Sequence, residues 1–146
     1  MSNIRFVGFL DLVRFAASYE ASWRAEGVEI AEGARSLALD ALVLAQWGLG
    51  AALATRVEGL LKAKLEQPRI LDLDPGCALG WFRDGGSGIL LCVHRSPTLQ
   101  LIIGAEVVSP QPGDLLLLNQ DPPTSICNYG PYNAVVLHAN TINGDA

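Results

Sequence analysis

The side chains able to do chemistry are few and dispersed. His94 and His138 are the only histidines and Cys77, Cys92 and Cys127 the only cysteines in a chain of 146 residues. An unperturbed imidazole titrates near pH 6.5 and ligates metals, which makes the two histidines the first candidates for acid/base work. A zinc or iron centre could be assembled from them with Asp84, Cys77 or Cys127, but no His-x-His, His-x-Asp or Cys-x-x-Cys pair supplies two ligands at close spacing. Cys127 activated by His138 across a sheet is a second arrangement, with Ser125 two residues away on the same strand face. The plainer reading of both histidines is a neutral, hydrogen-bonded side chain near a strand end.

Three further groups could make contacts. Asp84 in Arg83-Asp84-Gly85-Gly86 reads as a turn former accepting backbone N–H groups, or as a polar group at the mouth of a pocket. Trp81 just before it reads as a core anchor or a ligand platform. The loop Asn128-Tyr129-Gly130-Pro131-Tyr132-Asn133 places Tyr129 and Tyr132 around a Gly-Pro turn, with rigid area and hydrogen-bonding groups suited to a ligand or partner. Gly85-Gly86-Ser87-Gly88 lacks the lysine, the Ser/Thr and the following helix of a phosphate loop.

The elements that must position these residues fall into two textures. Phe6, Phe9, Leu10, Val13 and Ala17 recur at helical spacing, and a second helix is expected from near Ser36 to about Glu66 on Leu39, Leu42, Val43, Leu49, Leu53, Val57 and Leu60. Its other side, at 38, 41, 45, 48 and 52, is all alanine and glycine, smooth enough for a close neighbour. Pro68 is expected to end the pattern. From Arg69 onward short apolar runs alternate with glycine and proline, predicting strands at 70–73, 78–82, 89–95, 99–103, 106–109, 114–119, 125–128 and 134–140. The expected architecture is α+β in a single domain over 1–146: a helical layer over 1–66 packed on a compact jelly-roll or double-stranded β-helix-like sheet region over 69–146. The helices should cover the outer face of one sheet, since runs such as Ile89 to Val93 are apolar without alternation.

The order Gly80-Trp81-Phe82-Arg83-Asp84-Gly85-Gly86, then apolar strands, then Val107-Val108-Ser109-Pro110-Gln111-Pro112-Gly113-Asp114, then Ala134 to Ala139, resembles the catalytic half of the iron and 2-oxoglutarate oxygenases of the prolyl-hydroxylase and AlkB-like kind. That family commonly reads Gly-Trp-His-x-Asp-Gly at the first segment. The resemblance implies a double-stranded β-helix and a site of two histidines and one carboxylate, with a basic residue for the keto acid. Here Phe82 stands at the first histidine and Asp84 at the carboxylate. The 121–125 segment, Asp-Pro-Pro-Thr-Ser, offers no second histidine, and no Arg or Lys follows Arg95. A phenyl ring has no lone pair for a metal, so the sequence keeps the scaffold words and not the ligands; no metal and no cofactor are expected.

Half of the residues are apolar and 17% are charged, with a net charge of −5. There is no basic footprint for nucleic acid or an anionic membrane. No signal peptide is read at the start, and the uncharged run Ala41 to Thr55 is too short to span a bilayer. Three unpaired cysteines fit a reducing compartment, so the expected location is cytoplasmic. The leading functional expectation is a non-catalytic scaffold or accessory subunit acting through protein association, as a homo-oligomer or beside a homologous subunit. The alternative is a small-molecule-binding enzyme with a cofactor-independent pocket at the barrel mouth, built from Trp81, Asp84, His94, Tyr129, Tyr132 or His138.

Overall fold

The computed structural model describes residues 2–82, 85–94 and 99–142. The N-terminal part runs through strand β1 (Ile4–Phe9), helix α1 (Val13–Ser18), a π-helical turn (Tyr19–Trp23) and a 3-10 turn (Arg24–Glu26). It continues through the hairpin β2 (Val28–Ala31) and β3 (Ala34–Ala38) to helices α2 (Ala41–Gln46) and α3 (Gly48–Leu61). Eight strands follow: β4 (Lys64–Leu73), β5 (Ala78–Phe82), β6 (Ser87–His94), β7 (Leu99–Ile103), β8 (Glu106–Val108), β9 (Asp114–Asn119), β10 (Thr124–Asn128) and β11 (Ala134–Ile142).

These eight are divided between two antiparallel sheets. The larger has the order β1-β9-β6-β11-β4-β3-β2 and the smaller β5-β10-β7-β8. Because β4 to β11 keep crossing from one sheet to the other, the chain winds as a double-stranded β-helix, with N-terminal elements extending the larger sheet at both edges. The α+β architecture expected from the sequence is therefore present.

Each central strand of the larger sheet buries both faces, which explains its unbroken apolar sequence. Along β11, Ala134 and Val136 join an inter-sheet core with Leu71, Leu90, Leu101, Leu116 and Ile126. The alternate residues Val135, Leu137 and Ala139 pack instead with Phe15, Trp47, Leu53 and Val57 of the helical layer. Each such buried aliphatic side chain contributes roughly 1.5–3 kcal/mol relative to exposure.

The helical layer is held by aromatic stacking and one buried charge. Phe15 and Trp23 stack on Trp47 with ring centroids 4.7 Å and 5.4 Å away, and Trp47 Nε1 donates to Ser18 Oγ at 2.9 Å. Asp72 lies on the helix-facing side of β4 with no solvent exposure. Its carboxylate accepts from Tyr19 Oη at 2.8 Å, Arg24 Nε at 3.1 Å and Asn133 Nδ2 at 2.9 Å, with Arg35 Nη2 at 3.8 Å. A carboxylate buried this deeply is stable only with such partners.

The N-terminal third is less helical than its periodicity predicts. Residues 4–9 form a strand, because Ile4, Phe6 and Phe9 are good strand formers and the edge of β9 offers backbone partners. Ser36 lies in β3, and the helix starts later, where the Asp40 carboxylate accepts the Val43 N–H at 3.0 Å. The long helix is broken at Trp47 and closes at Lys62 in the left-handed conformation (φ 54°). Pro68 does not terminate anything: it sits inside β4 at a register shift, beside Gln67 (φ 51°), the kind of bulge that tolerates a missing N–H. The small-residue side at 38, 41, 45, 48 and 52 is solvent-exposed in the single chain. Among the described residues no helix is long and apolar enough to cross a membrane.

Candidate functional site

The sheet-to-sheet crossings create two barrel ends, and the sequence candidates are split between them. At one end lie the C-terminus of β5, the start of β6, the start of β10 and the end of β11. Thr124 pairs with Phe82 here, and His138 enters from β11. At the other end lie His94, Tyr129 and Tyr132. His94 pairs with Val135 and His138 with Leu90, so the two histidines stand about four residues, roughly 13 Å, apart along the sheet. Asp84 lies outside the described residues, as do the side chains of Trp81, Phe82 and His94.

Cys127 and His138 do not meet. Ile126 faces the inter-sheet core, so Ser125 and Cys127 point to the other face of the smaller sheet, whereas His138 points between the sheets. Ser125 Oγ and Cys127 Sγ are 3.5 Å apart, and Ser125 also donates to the Leu79 carbonyl at 3.0 Å. Tyr129 and Tyr132 are exposed, and the Tyr129 hydroxyl is raised above its ordinary value by its hydrogen bond to Cys127. All three cysteines are free thiols.

At the mouth containing His138, the described polar groups hydrogen-bond to one another. Gln120, immediately after β9, is fully buried. Its Nε2 donates to Asn140 Oδ1 at 2.8 Å, which turns Oε1 toward His138 Nε2 at 2.7 Å. That oxygen only accepts, so the imidazole donates from Nε2. Gly88 makes the arrangement sterically feasible, since a Cβ there would lie 2.5 Å from the Gln120 amide. Asp121 Oδ1 accepts from the Gly86 N–H at 2.9 Å and closes the adjoining loop.

The described residues do not fit an iron and keto-acid site. Thr124, registered opposite Phe82, donates its hydroxyl to the Pro122 carbonyl at 3.4 Å. His138 Nε2 is already engaged by the Gln120 side-chain amide at 2.7 Å. The inward residues at the start of β11 are the aliphatic Ala134 and Val136. Among the described residues no three His, Cys, Asp or Glu side chains are grouped as a metal would require.

A wide concavity lies elsewhere, on the outer side of the larger sheet where β1 runs into α1. It encloses about 750 Å³. Leu10, Leu12, Ala16 and Val93 form its buried floor, and Phe9 and Val13, 68% and 75% exposed, form its rim. Ala17 and Ala21 line the helical wall, and the Pro112-Gly113 turn closes the remaining side. Gly113 has φ +98°, and a Cβ on it would fall 2.4 Å from the Phe9 ring and 2.5 Å from the Leu10 carbonyl. The close approach is fixed by Leu10 N–H donating to the Gly113 carbonyl at 2.8 Å.

Sequence reasoning singled out Pro112-Gly113 and the Phe9, Val13 and Ala17 spacing without joining them into one site. A helix over 3–17 would have buried those side chains together; a strand followed by a helix instead leaves a notch. Asp72 and Gln120 were also missed. The signal for Asp72 was available, since a lone carboxylate in Ile70-Leu71-Asp72-Leu73 requires partners from outside its strand.

No family model and no curated protein matches the chain. Solved structures do. The viral collagen prolyl hydroxylase of Paramecium Bursaria Chlorella virus-1, solved as a 2OG complex, superposes with a TM-score of 0.72 over 96% of both chains at 7% identity. KdgF from Halomonas sp. gives 0.52 over 80% of this chain and 88% of that one at 9% identity. A predicted oxalate decarboxylase from Thermotoga maritima gives 0.51 over 75% and 80% at 16% identity. At these identities the likeness is one of fold. The chain has a double-stranded β-helix-like fold and distantly resembles cupin-type structures and a 2-oxoglutarate-binding hydroxylase in that fold.

Proposed function

We propose that this protein binds a small apolar molecule in the groove between β1, α1 and the Pro112-Gly113 turn, with the barrel serving as its rigid support. The observation that carries the reading is the groove itself: about 750 Å³, inside the range of roughly 300–1,000 Å³ usual for small-molecule sites, with a predominantly apolar lining. The shared fold is compatible with it, since the neighbours include a hydroxylase solved with 2-oxoglutarate and a predicted oxalate decarboxylase. This groove is a different place from the barrel mouth, where Gln120 hydrogen-bonds to His138 and Asn140 and the described inter-sheet core is largely aliphatic. The small-molecule alternative read from the sequence is therefore kept, and its location is moved from the mouth to the outer groove.

The test uses N-phenyl-1-naphthylamine, a neutral apolar fluorophore, titrated into the full chain. The expected result is saturable binding of one probe per chain in the micromolar range. Ala17→Trp, at an exposed helical position, should fill the groove and abolish binding while leaving thermal unfolding within a few degrees of the parent. Absence of saturable binding, or undiminished binding by Ala17→Trp, refutes the proposal. Light scattering on the same samples addresses association: a dimer that Ala17→Trp dissociates would show that a second copy, and not a small molecule, occupies this face.

A further inference from the structure

We infer that the groove selects an apolar molecule carrying a cationic group, such as an alkyl amine, over its anionic counterpart; this rests on the ligand-binding reading above. Among the described residues its lining contains two carboxylates, Asp11 and Glu20, and no lysine, arginine or histidine. The two are not equivalent. Glu20 lies 3.9 Å from Arg24 Nη1, so part of its charge is already answered. Asp11 accepts the Val13 N–H through Oδ1 at 3.2 Å, a contact that orients the carboxylate at the start of α1, and it makes no described salt bridge. Asp11 therefore carries the inference.

Among the described residues the remaining lining carries no cationic side chain to hold an anion. Phe9, Val13, Ala17 and Val93 are apolar, and Arg14, on the same helix as Val13, is not part of the wall. An amine-bearing ligand could lay its apolar body on Leu10, Leu12 and Ala16 and keep its ammonium in water beside Asp11. A carboxylate in the same pose would face a like charge. Since Asp11 is exposed, the preference is moderate, roughly three- to tenfold, and is weakened by salt. The chemistry is the reverse of that in a keto-acid site, where a basic side chain meets a dicarboxylate.

Dodecylamine, dodecanol and dodecanoate, each below its micellar concentration, are competed against N-phenyl-1-naphthylamine bound to the full chain. The expected order of displacement is amine, then alcohol, then carboxylate, with the amine effective at a concentration roughly three- to tenfold below the carboxylate. Asp11→Asn, a near-isosteric change that keeps an oxygen for the Val13 N–H, should bring amine and alcohol together without altering displacement by the alcohol. Equal displacement by all three, or an unchanged order in Asp11→Asn, overturns the charge selectivity while leaving the groove assignment intact. Failure of the fluorophore itself to bind overturns the groove assignment instead.

Discussion

Replacing Asp72 with alanine should loosen the helical layer from the barrel by a predictable amount. The carboxylate has no solvent exposure and is held by Tyr19, Arg24, Arg35 and Asn133. Removing one member of a buried charge pair costs about 3–5 kcal/mol. The side chains of Arg24 and Arg35 are 34% and 31% exposed, so water can rehydrate them, which favours the lower end of that range. The buried Tyr19 hydroxyl loses its acceptor, a further cost of about 1 kcal/mol. The expected loss is about 3–4 kcal/mol, or about 10 °C in Tm at roughly 2–4 °C per kcal/mol for a chain of this size. Tyr19→Phe alone should cost about 1 kcal/mol. In the Asp72→Ala background it should cost close to nothing, because its partner is gone. Urea titrations followed by tryptophan fluorescence and far-ultraviolet circular dichroism measure all four states of the cycle. A loss below 1 kcal/mol for Asp72→Ala, or the same cost for Tyr19→Phe in both backgrounds, would refute the view that this carboxylate ties the two layers.

The same phenol gives a pH dependence: burial first, and Asp72 second, raise Tyr19 above its ordinary value of 10.0. Its stabilising contribution is then complete below pH 10 and is lost as pH rises toward the folded value, because only the unfolded chain ionises readily. Tm measured between pH 9 and pH 11 should fall more steeply for the parent than for Tyr19→Phe, and parallel slopes would count against this assignment. The thiols should differ in reactivity, since burial pushes Cys92 up to about 12 and Cys127 is covered, while Cys77 is only partly buried. Iodoacetamide at pH 8 on the folded chain should modify Cys77 slowly and the other two only after urea is added, as read by peptide mass spectrometry; rapid native labelling of Cys92 contradicts the packing described.

The β-rich half was legible because its signals are local. Turn residues bracket each run, and strand pairing needed only those brackets; Asp114–Asn119 and Leu99–Ile103 occur within the expected limits. The N-terminal third was not, because long-range pairing decides it. Phe6 and Phe9 have helical spacing, yet β9 lies more than a hundred residues away and offers a free edge that local periodicity cannot register. Asp40 and not Ser36 caps a helix for a similar reason: β3 extends to Ala38 by pairing with β4. That position 82 and the 121–125 segment carry no histidine could be read from residue type alone. The groove could not, since it arises from the angle between a strand and a helix that the sequence presents as one continuous face.

The aromatic stack gives the helical layer its own optical signature. Trp23 and Trp47 lie 5.4 Å apart at an interplanar angle of 26°, close enough for their excited states to couple, whereas Trp81 belongs to β5 of the smaller sheet. An exciton couplet in circular dichroism would therefore report on the α1 to α3 region alone. Followed during unfolding beside the β-sheet signal, it tells whether the layer and the barrel melt as one cooperative body or whether the groove wall departs first.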